Sequence, residues 1–276
     1  MIKSRHQVLI STHSPSIIRN LPPAAIKTLT LDAMTNQVVL VSQSSNPEDA
    51  FFYIGEPVDN RWTIIVEDKL AKLVVERALK HLGPHFVNYD VRYFPGGADT
   101  LWNTYVPVYA ASKRDNIIFV FDGDKRPACA PRKSCMIPES ENKSLWNEIK
   151  NFAGTGIDLK VDGNPKSGGN LEQLYEAQRN LLDWAIDHVR FMDTDTPEQF
   201  IIEQSPEVPD DLQGKTCKDK FEDLTRRRLD KKAVEKISSE EIFFTQQFEL
   251  AKIPQENHEL VSIRSMIQSI VGSKVL

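Results

Sequence analysis

The sequence predicts an α/β fold: a parallel sheet flanked by helices, followed by a helical C-terminal region. Three observations point to it. Between Trp62 and Phe121, strand-length apolar runs alternate with helix-length amphipathic ones; this is the β-α-β-α-β order of a parallel sheet with right-handed crossovers. Glycine and proline punctuate the changes of period, at Gly83-Pro84 and at Pro95-Gly96-Gly97. The run Ile117–Phe121 (IIFVF) is wholly apolar, as befits a strand covered on both faces.

Residues 7–11 (QVLIS) read as a short buried strand, and Ser14-Pro15 as the cap and first position of a helix that Leu21-Pro22-Pro23 ends. Residues 26–31 and 37–41 form a hairpin-like pair around Met34-Thr35-Asn36. The polar, Pro/Gly-punctuated stretch 42–60 marks a boundary. A second unit starts with a strand at 62–66. The helix at 69–82 follows, with Ala71, Val74, Val75, Ala78 and Leu82 along one face. A strand at 86–94 precedes a helix at 98–112 that Pro107 kinks or ends early. After the strand at 116–121, residues 125–142 read as a long loop, of a length that is usually functional or mobile. A helix near 143–152, a loop at 154–170, a strong helix at 171–187, a last strand at 188–192 and a helix at 197–204 come next. Residues from about 210 to 276 read as helical with turns.

The chain has 276 residues, 40% apolar and 26% charged, enough for one large or two modest packed domains. No window of about 18 uncharged apolar residues is present, and the N-terminus lacks the apolar segment of a signal peptide. No membrane association is therefore expected. Three cysteines are too few for a disulfide framework and suit a cytoplasmic setting; Cys129 and Cys135 are spaced too widely for an ordinary zinc knuckle. The net charge of −5 excludes a passive nucleic-acid coat, yet leaves room for a nucleic-acid enzyme with local basic patches. One such patch is Lys113, Arg114, Lys125, Arg126, Arg132 and Lys133. The other, Arg226–Arg228 with Lys231 and Lys232, taken alone reads as a solvated helix face.

Two strands run into acid. Val66 is followed by Glu67-Asp68, and Phe121 by Asp122-Gly123-Asp124. In a parallel α/β sheet, ligands bind beyond the C-terminal strand ends, so these carboxylates converge on one rim if the strands are neighbours. Like charges gathered this closely require a counter-charge. Hard oxygen donors suit Mg²⁺ or Mn²⁺, and such an ion brings phosphate chemistry with it. Gly123 is expected to let the backbone turn so that both aspartates reach the ion. The alternative is an ordinary solvated turn.

The matches IIVED at 64–68, PGG at 95–97 and FVFDGD at 119–124 resemble the Toprim domain over about residues 61–195. VLISTHSPSII at 8–18 resembles the switch-histidine strand and following helix of ABC-type ATPases. Both motifs in this order resemble the C-terminal part of OLD-family nucleases (overcoming lysogenisation defect). The resemblance implies residues 1–60 as an ATPase remnant, 61–205 as a Toprim domain and 206–276 as a helical C-terminal region. It implies a metal-dependent endonuclease cleaving DNA, with Glu67, Asp122 and Asp124 as the catalytic, metal-binding carboxylates. Asp68 stands where many relatives have glycine, and Ala71 where they have a further acid; Asp68, on the same rim, is a candidate to substitute partly for that acid. A later Glu and a lysine are also used in such nucleases. Glu198 and Glu203 are candidates for the first, Glu172 a poorer one; Lys231, Lys232 and Lys236 are candidates for the second. His13 would sense nucleotide only together with an ATPase portion.

Walker A is missing: Gly214-Lys215-Thr216 has Pro209 where the first glycine of the motif belongs. ATP is therefore expected only through an ATPase portion absent from this chain, as an upstream region or subunit. Lys125, Arg126, Arg132 and Lys133 are expected to contact DNA, and a homo-oligomer and a role in phage defence are implied by the family. Two other readings remain. One is a non-catalytic regulatory fragment of an ATPase–Toprim protein. The other, weaker, is a phosphatase of the haloacid-dehalogenase type, with the first Asp of FVFDGD as nucleophile.

Overall fold

The computed structural model describes residues 8–12, 14–31, 37–42, 61–163, 169–232 and 234–274. They fall into two compact units, one of Met1–Arg61 with Leu82–Asp90 and one of Trp62–His81 with Val91–Leu276.

In the first unit, helix α1 (Pro15–Arg19) begins with proline after Ser14, whose hydroxyl makes no capping bond. Strands β1 (Thr28–Leu31) and β2 (Val38–Ser42) pair antiparallel, Thr30 opposite Val39. Ile18, Ile26 and Val87 form a small buried cluster. The strand expected at 7–11 is not found over its described residues 8–11. Val8, Leu9 and Ile10 are 63, 91 and 60% exposed. A strand exists only where its amide and carbonyl groups meet a partner, and no described strand pairs with this segment.

The second unit holds β3 (Trp62–Val66), α2 (Lys69–Lys80), β4 (Tyr89–Tyr93), α3 (Gly97–Thr100), α4 (Val106–Ala111), β5 (Ile117–Phe121), α5 (Leu145–Ala153), α6 (Leu171–His188), β6 (Val189–Phe191), α7 (Pro197–Gln204), α8 (Cys217–Arg228), α9 (Ser239–Lys252) and α10 (His258–Lys274). For β4, this applies from Val91 onward. The sheet is parallel and four-stranded, in the order β4-β3-β5-β6, with Val66 opposite Val120 and Phe121 opposite Phe191. All of β5 is buried, as its unbroken apolar run requires. Side chains alternate across a strand. Ile65, Phe119 and Phe121 accordingly share one core with Trp102, Leu145 and Leu182, where Trp102 stacks on Phe121 at 5.1 Å. The buried stripe of α2 is Leu70, Ala71, Val74, Val75, Ala78 and Leu79; Leu82 falls beyond the helix.

The C-terminal helices α9 and α10 pack against α2. Arg77 Nη2 donates to the carbonyls of Ala251 (2.9 Å) and Ile253 (2.5 Å), and Arg264 Nη1 donates to that of Ala78 at 3.2 Å. The described residues beyond 206 hold the helices α8, α9 and α10 and belong to the same unit as the sheet. Among the described residues no helix is long and apolar enough to cross a membrane.

Two further expectations need correction. The strand at 86–94 is shorter, because Gly83, left-handed at φ +59°, and Pro84 open a 3₁₀ turn that runs to Asn88. The helix at 98–112 is interrupted by a π segment, Leu101–Tyr105, just before Pro107, whose missing N–H leaves a gap in the hydrogen-bond ladder. The loop 125–142 is laid against α6. Arg179 donates to the carbonyls of Ser134 and Ile137 at 2.7 and 2.9 Å, Asp183 accepts from the Ser134 amide and hydroxyl, and Ile137 is buried.

Candidate active site

The strand order reverses direction between β3 and β5. In an open parallel sheet this switch point is where loops diverge and leave a crevice. Glu67 follows β3 and Asp122 follows β5, and with Val66 opposite Val120 the two strand ends reach the same rim. The Asp122 amide donates to Glu67 Oε1 at 2.9 Å. The two acids that begin 55 residues apart in sequence therefore meet directly.

Positive charge offsets their negative charge only in part. Burial first, then the neighbouring charges of Glu67, Asp68, Asp124 and Glu198, push the Asp122 carboxyl up to about 8. Its Oδ1 is buried without a hydrogen-bond partner. Burial also raises Glu67, against the lowering effects of the Asp122 amide and the Lys125 ammonium, with Asp124 and Asp68 adding to the rise. Glu198, from the first turn of α7, is raised by burial and by Asp68. Glu67, Asp68, Asp122, Asp124 and Glu198 thus share one field, as sequence spacing alone could not establish for Glu198.

The remaining candidates separate. Asp68 caps α2: its Oδ1 accepts from the amides of Leu70 and Ala71, both at 2.8 Å. Asp124 Oδ2 pairs with Lys125 Nζ at 2.8 Å. Glu203 is exposed and accepts from Gln199 Nε2 at 2.8 Å; Glu172 is exposed in the first turn of α6. The Lys231 ammonium pairs with Glu241, and Lys232 is exposed, with its amide on Glu235 Oε1 at 2.8 Å. Neither those two lysines nor Lys236 figures among the charges acting on Glu67, Asp122 or Glu198. His13 lies outside the described residues.

Two other ammonium groups do act on the acids: Lys125 on Glu67 and Lys218 on Glu198. Lys125 sits at the aspartate turn itself. The Asp124 bond holds its proton most strongly, and Glu67 and Asp122 add to this. Its expected place was on DNA; its geometry makes it equally a counter-charge inside the site. The other expected DNA contacts are paired with acids remote in sequence. Arg126 Nη2 binds Asp193 Oδ1 at 3.1 Å and the Met192 carbonyl at 2.6 Å, Arg132 binds Glu148, and Lys133 binds Asp187. The second basic run is likewise internal, with Arg227 on Asp211 and Asp223, and Arg228 on the fully buried Glu249.

Gly123 is needed for a different reason from the expected one. Its φ is not positive. A Cβ there would lie 2.3 Å from the Thr194 carbonyl oxygen, because the loop after β6 closes on the turn: the amides of Gly123 and Asp124 donate to the carbonyls of Thr194 and Asp195, each at 3.1 Å. The Gly214-Lys215-Thr216 match is a helix cap. Thr216 and Asp219 form a capping box at the start of α8, which explains the residue types without a nucleotide.

In kind, the rim suits a hard divalent cation: carboxylate donors, an orphaned buried oxygen on Asp122 and an excess of negative charge. Among the described residues, however, no three His, Cys, Asp or Glu side chains are drawn together closely enough to hold a metal ion. Glu67 Oε1 is occupied by the Asp122 amide and Asp68 Oδ1 by the helix it caps. No protein-family model, curated protein or solved structure matches the chain.

Proposed function

We propose that this rim is the site of a metal-dependent nuclease of the Toprim type, hydrolysing DNA phosphodiester bonds with Glu67, Asp122 and Asp124 as its metal-binding carboxylates. The observation that carries this reading is the direct contact of Glu67 with Asp122, with the Asp122 carboxyl raised to about 8 by burial and then by the neighbouring carboxylates. A carboxylate raised by burial and like charges is a signature of functional sites. Bound Mg²⁺ or Mn²⁺ would supply charge to polarise the scissile phosphate and acidify a water. The chain's own groups have distinct tasks. Asp122 presents its carboxylate on the turn that Gly123 allows, and its amide orients Glu67. Lys125, paired with Asp124 at 2.8 Å, would be left to meet a phosphate oxygen if Asp124 held the cation. Asp68 holds the start of α2 and keeps the β3–α2 turn in place. Glu198 adds a fourth carboxylate from α7.

In this reading the chain works in the cytoplasm with an ABC-type ATPase portion supplied elsewhere, as a homo-oligomer, in defence against phage, with His13 serving the nucleotide site. The test is nicking of supercoiled plasmid in Mn²⁺. Wild type nicks and Asp122→Ala does not; equal rates in both overturn the reading.

A second reading, a non-catalytic regulatory fragment of an ATPase–Toprim protein, has its own support. The carboxylates are not gathered into a metal cage among the described residues, and most of the nearby cations are already paired. Calorimetry separates the two, because only the nuclease reading requires a Mn²⁺ isotherm that Asp122→Ala removes.

A further inference from the structure

Glu259 is a carboxylate that no sequence pattern singles out. It lies in the first turn of α10 and is 1% exposed. Taking an ionised carboxylate out of water is costly unless donors converge on it. Three do. Glu259 Oε1 accepts from the amides of Asp193 and Thr194 at 3.0 and 3.2 Å and from the Thr194 hydroxyl at 3.2 Å. The same loop, one bond further on, receives the Gly123 and Asp124 amides on the carbonyls of Thr194 and Asp195. No slack exists at that junction, since a single Cβ on Gly123 would sit 2.3 Å from the Thr194 oxygen.

We infer that Glu259 is a positioning residue for the candidate site. From the C-terminal helix it fixes the loop 193–195, and through it the Asp122-Gly123-Asp124 turn. The same helix reaches α2 through Arg264 and the Ala78 carbonyl, so one element braces both the turn after β5 and the helix that follows Glu67. The C-terminal helical region thereby completes the site without contributing a ligand. Its catalytic meaning rests on the nuclease reading; the geometric claim does not.

The experiment is residue-resolved amide hydrogen exchange on the metal-free full chain, comparing wild type with Glu259→Ala and Glu259→Gln. In Glu259→Ala the amides of Gly123 and Asp124 exchange at least about tenfold faster, while Ile65 and Phe119 in the sheet keep wild-type protection. Glu259→Gln, which retains the accepting oxygen, stays within about threefold of wild type at all four amides. Wild-type exchange at Gly123 and Asp124 in Glu259→Ala overturns the inference. So does an equal loosening of Ile65 and Phe119, or a Gln variant as fast as Ala. Should Glu259→Ala not fold, Glu259→Asp, whose arm is one methylene shorter, is read by the same criteria. In the nicking assay, Glu259→Ala loses about 100-fold in kcat at unchanged KM, and Gln restores it. If the wild type does not nick, the nuclease reading fails and the exchange arm decides the positioning claim on its own.

Discussion

The amide of Asp122 donates to Glu67 Oε1 at 2.9 Å, joining the ends of two adjacent parallel strands at the point where the sheet order reverses. This bond orients Glu67 while leaving the Asp122 carboxylate in an electrostatic deficit. Replacing Glu67 by Gln keeps an acceptor for the amide and removes the charge that, after burial, most raises Asp122. The expected result is a lower Asp122 pKa, read by NMR titration of its carboxyl carbon. An unchanged titration in Glu67→Gln would show that the two side chains do not share a field.

The raised Asp122 pKa fixes the sign of a pH dependence. A carboxyl whose folded value, about 8, lies above its ordinary value of 3.8 keeps its proton in the folded chain after the unfolded chain has lost it. Its stabilising contribution is complete below pH 3.8, declines as pH rises, and is gone above about 8. The slope is at most about 1.4 kcal/mol per pH unit. Asp122→Asn should flatten urea-unfolding free energies across this window in the metal-free protein. Parallel curves for the two proteins would refute the assignment.

Metal binding should follow the same proton. A cation that needs Asp122 ionised displaces that proton below pH 8. Mn²⁺ affinity is therefore expected to rise up to about pH 8, at most about tenfold per pH unit, and then level. Buffers of different ionisation enthalpy reveal the released proton in calorimetry. A pH-independent isotherm would place the ion elsewhere.

Asp68 supplies a control. It caps α2 through the Leu70 and Ala71 amides, and loss of such a cap costs about 1 kcal/mol. Asp68→Ala should lower stability by that amount, and Asp68→Asn, itself a good cap, should not. Both should keep a Mn²⁺ isotherm, weakened only by the loss of one neighbouring charge. Loss of the isotherm in Asp68→Asn would make Asp68 a ligand.

Glu249 tests the scaffold. It is fully buried and takes Arg228, the Ser205 hydroxyl and Lys252. Breaking a buried ion pair from one side typically costs about 3–5 kcal/mol, so Glu249→Ala should lower the urea-unfolding free energy by that order. A loss under about 1 kcal/mol would show the network to be solvated.

Local pattern made the second unit legible. Periodicity separates strands from helices because a strand buries every second residue and a helix one stripe, so β3, α2, β5, α6 and α7 stand near their expected places. The acids at the ends of β3 and β5 were visible for the same reason: an apolar run that stops abruptly in charge marks a strand leaving the core. Where partners are remote, the sequence is silent. The apolar segment 8–11 reads as a strand by composition, but a strand requires a neighbour that only the assembled chain can offer. Arg126, Arg132 and Lys133 read as free cations because Asp193, Glu148 and Asp187, their partners, lie 16 to 67 residues away. Gly123 was recognisable as necessary, but its reason, the Thr194 carbonyl, comes from another loop. Glu259 had no signal at all. The sequence by itself determined which elements form and which acids end the strands, because those depend on neighbours along the chain. The tertiary structure decided which charges remain uncompensated and what holds the turn, because electrostatics and close packing depend on distance in space.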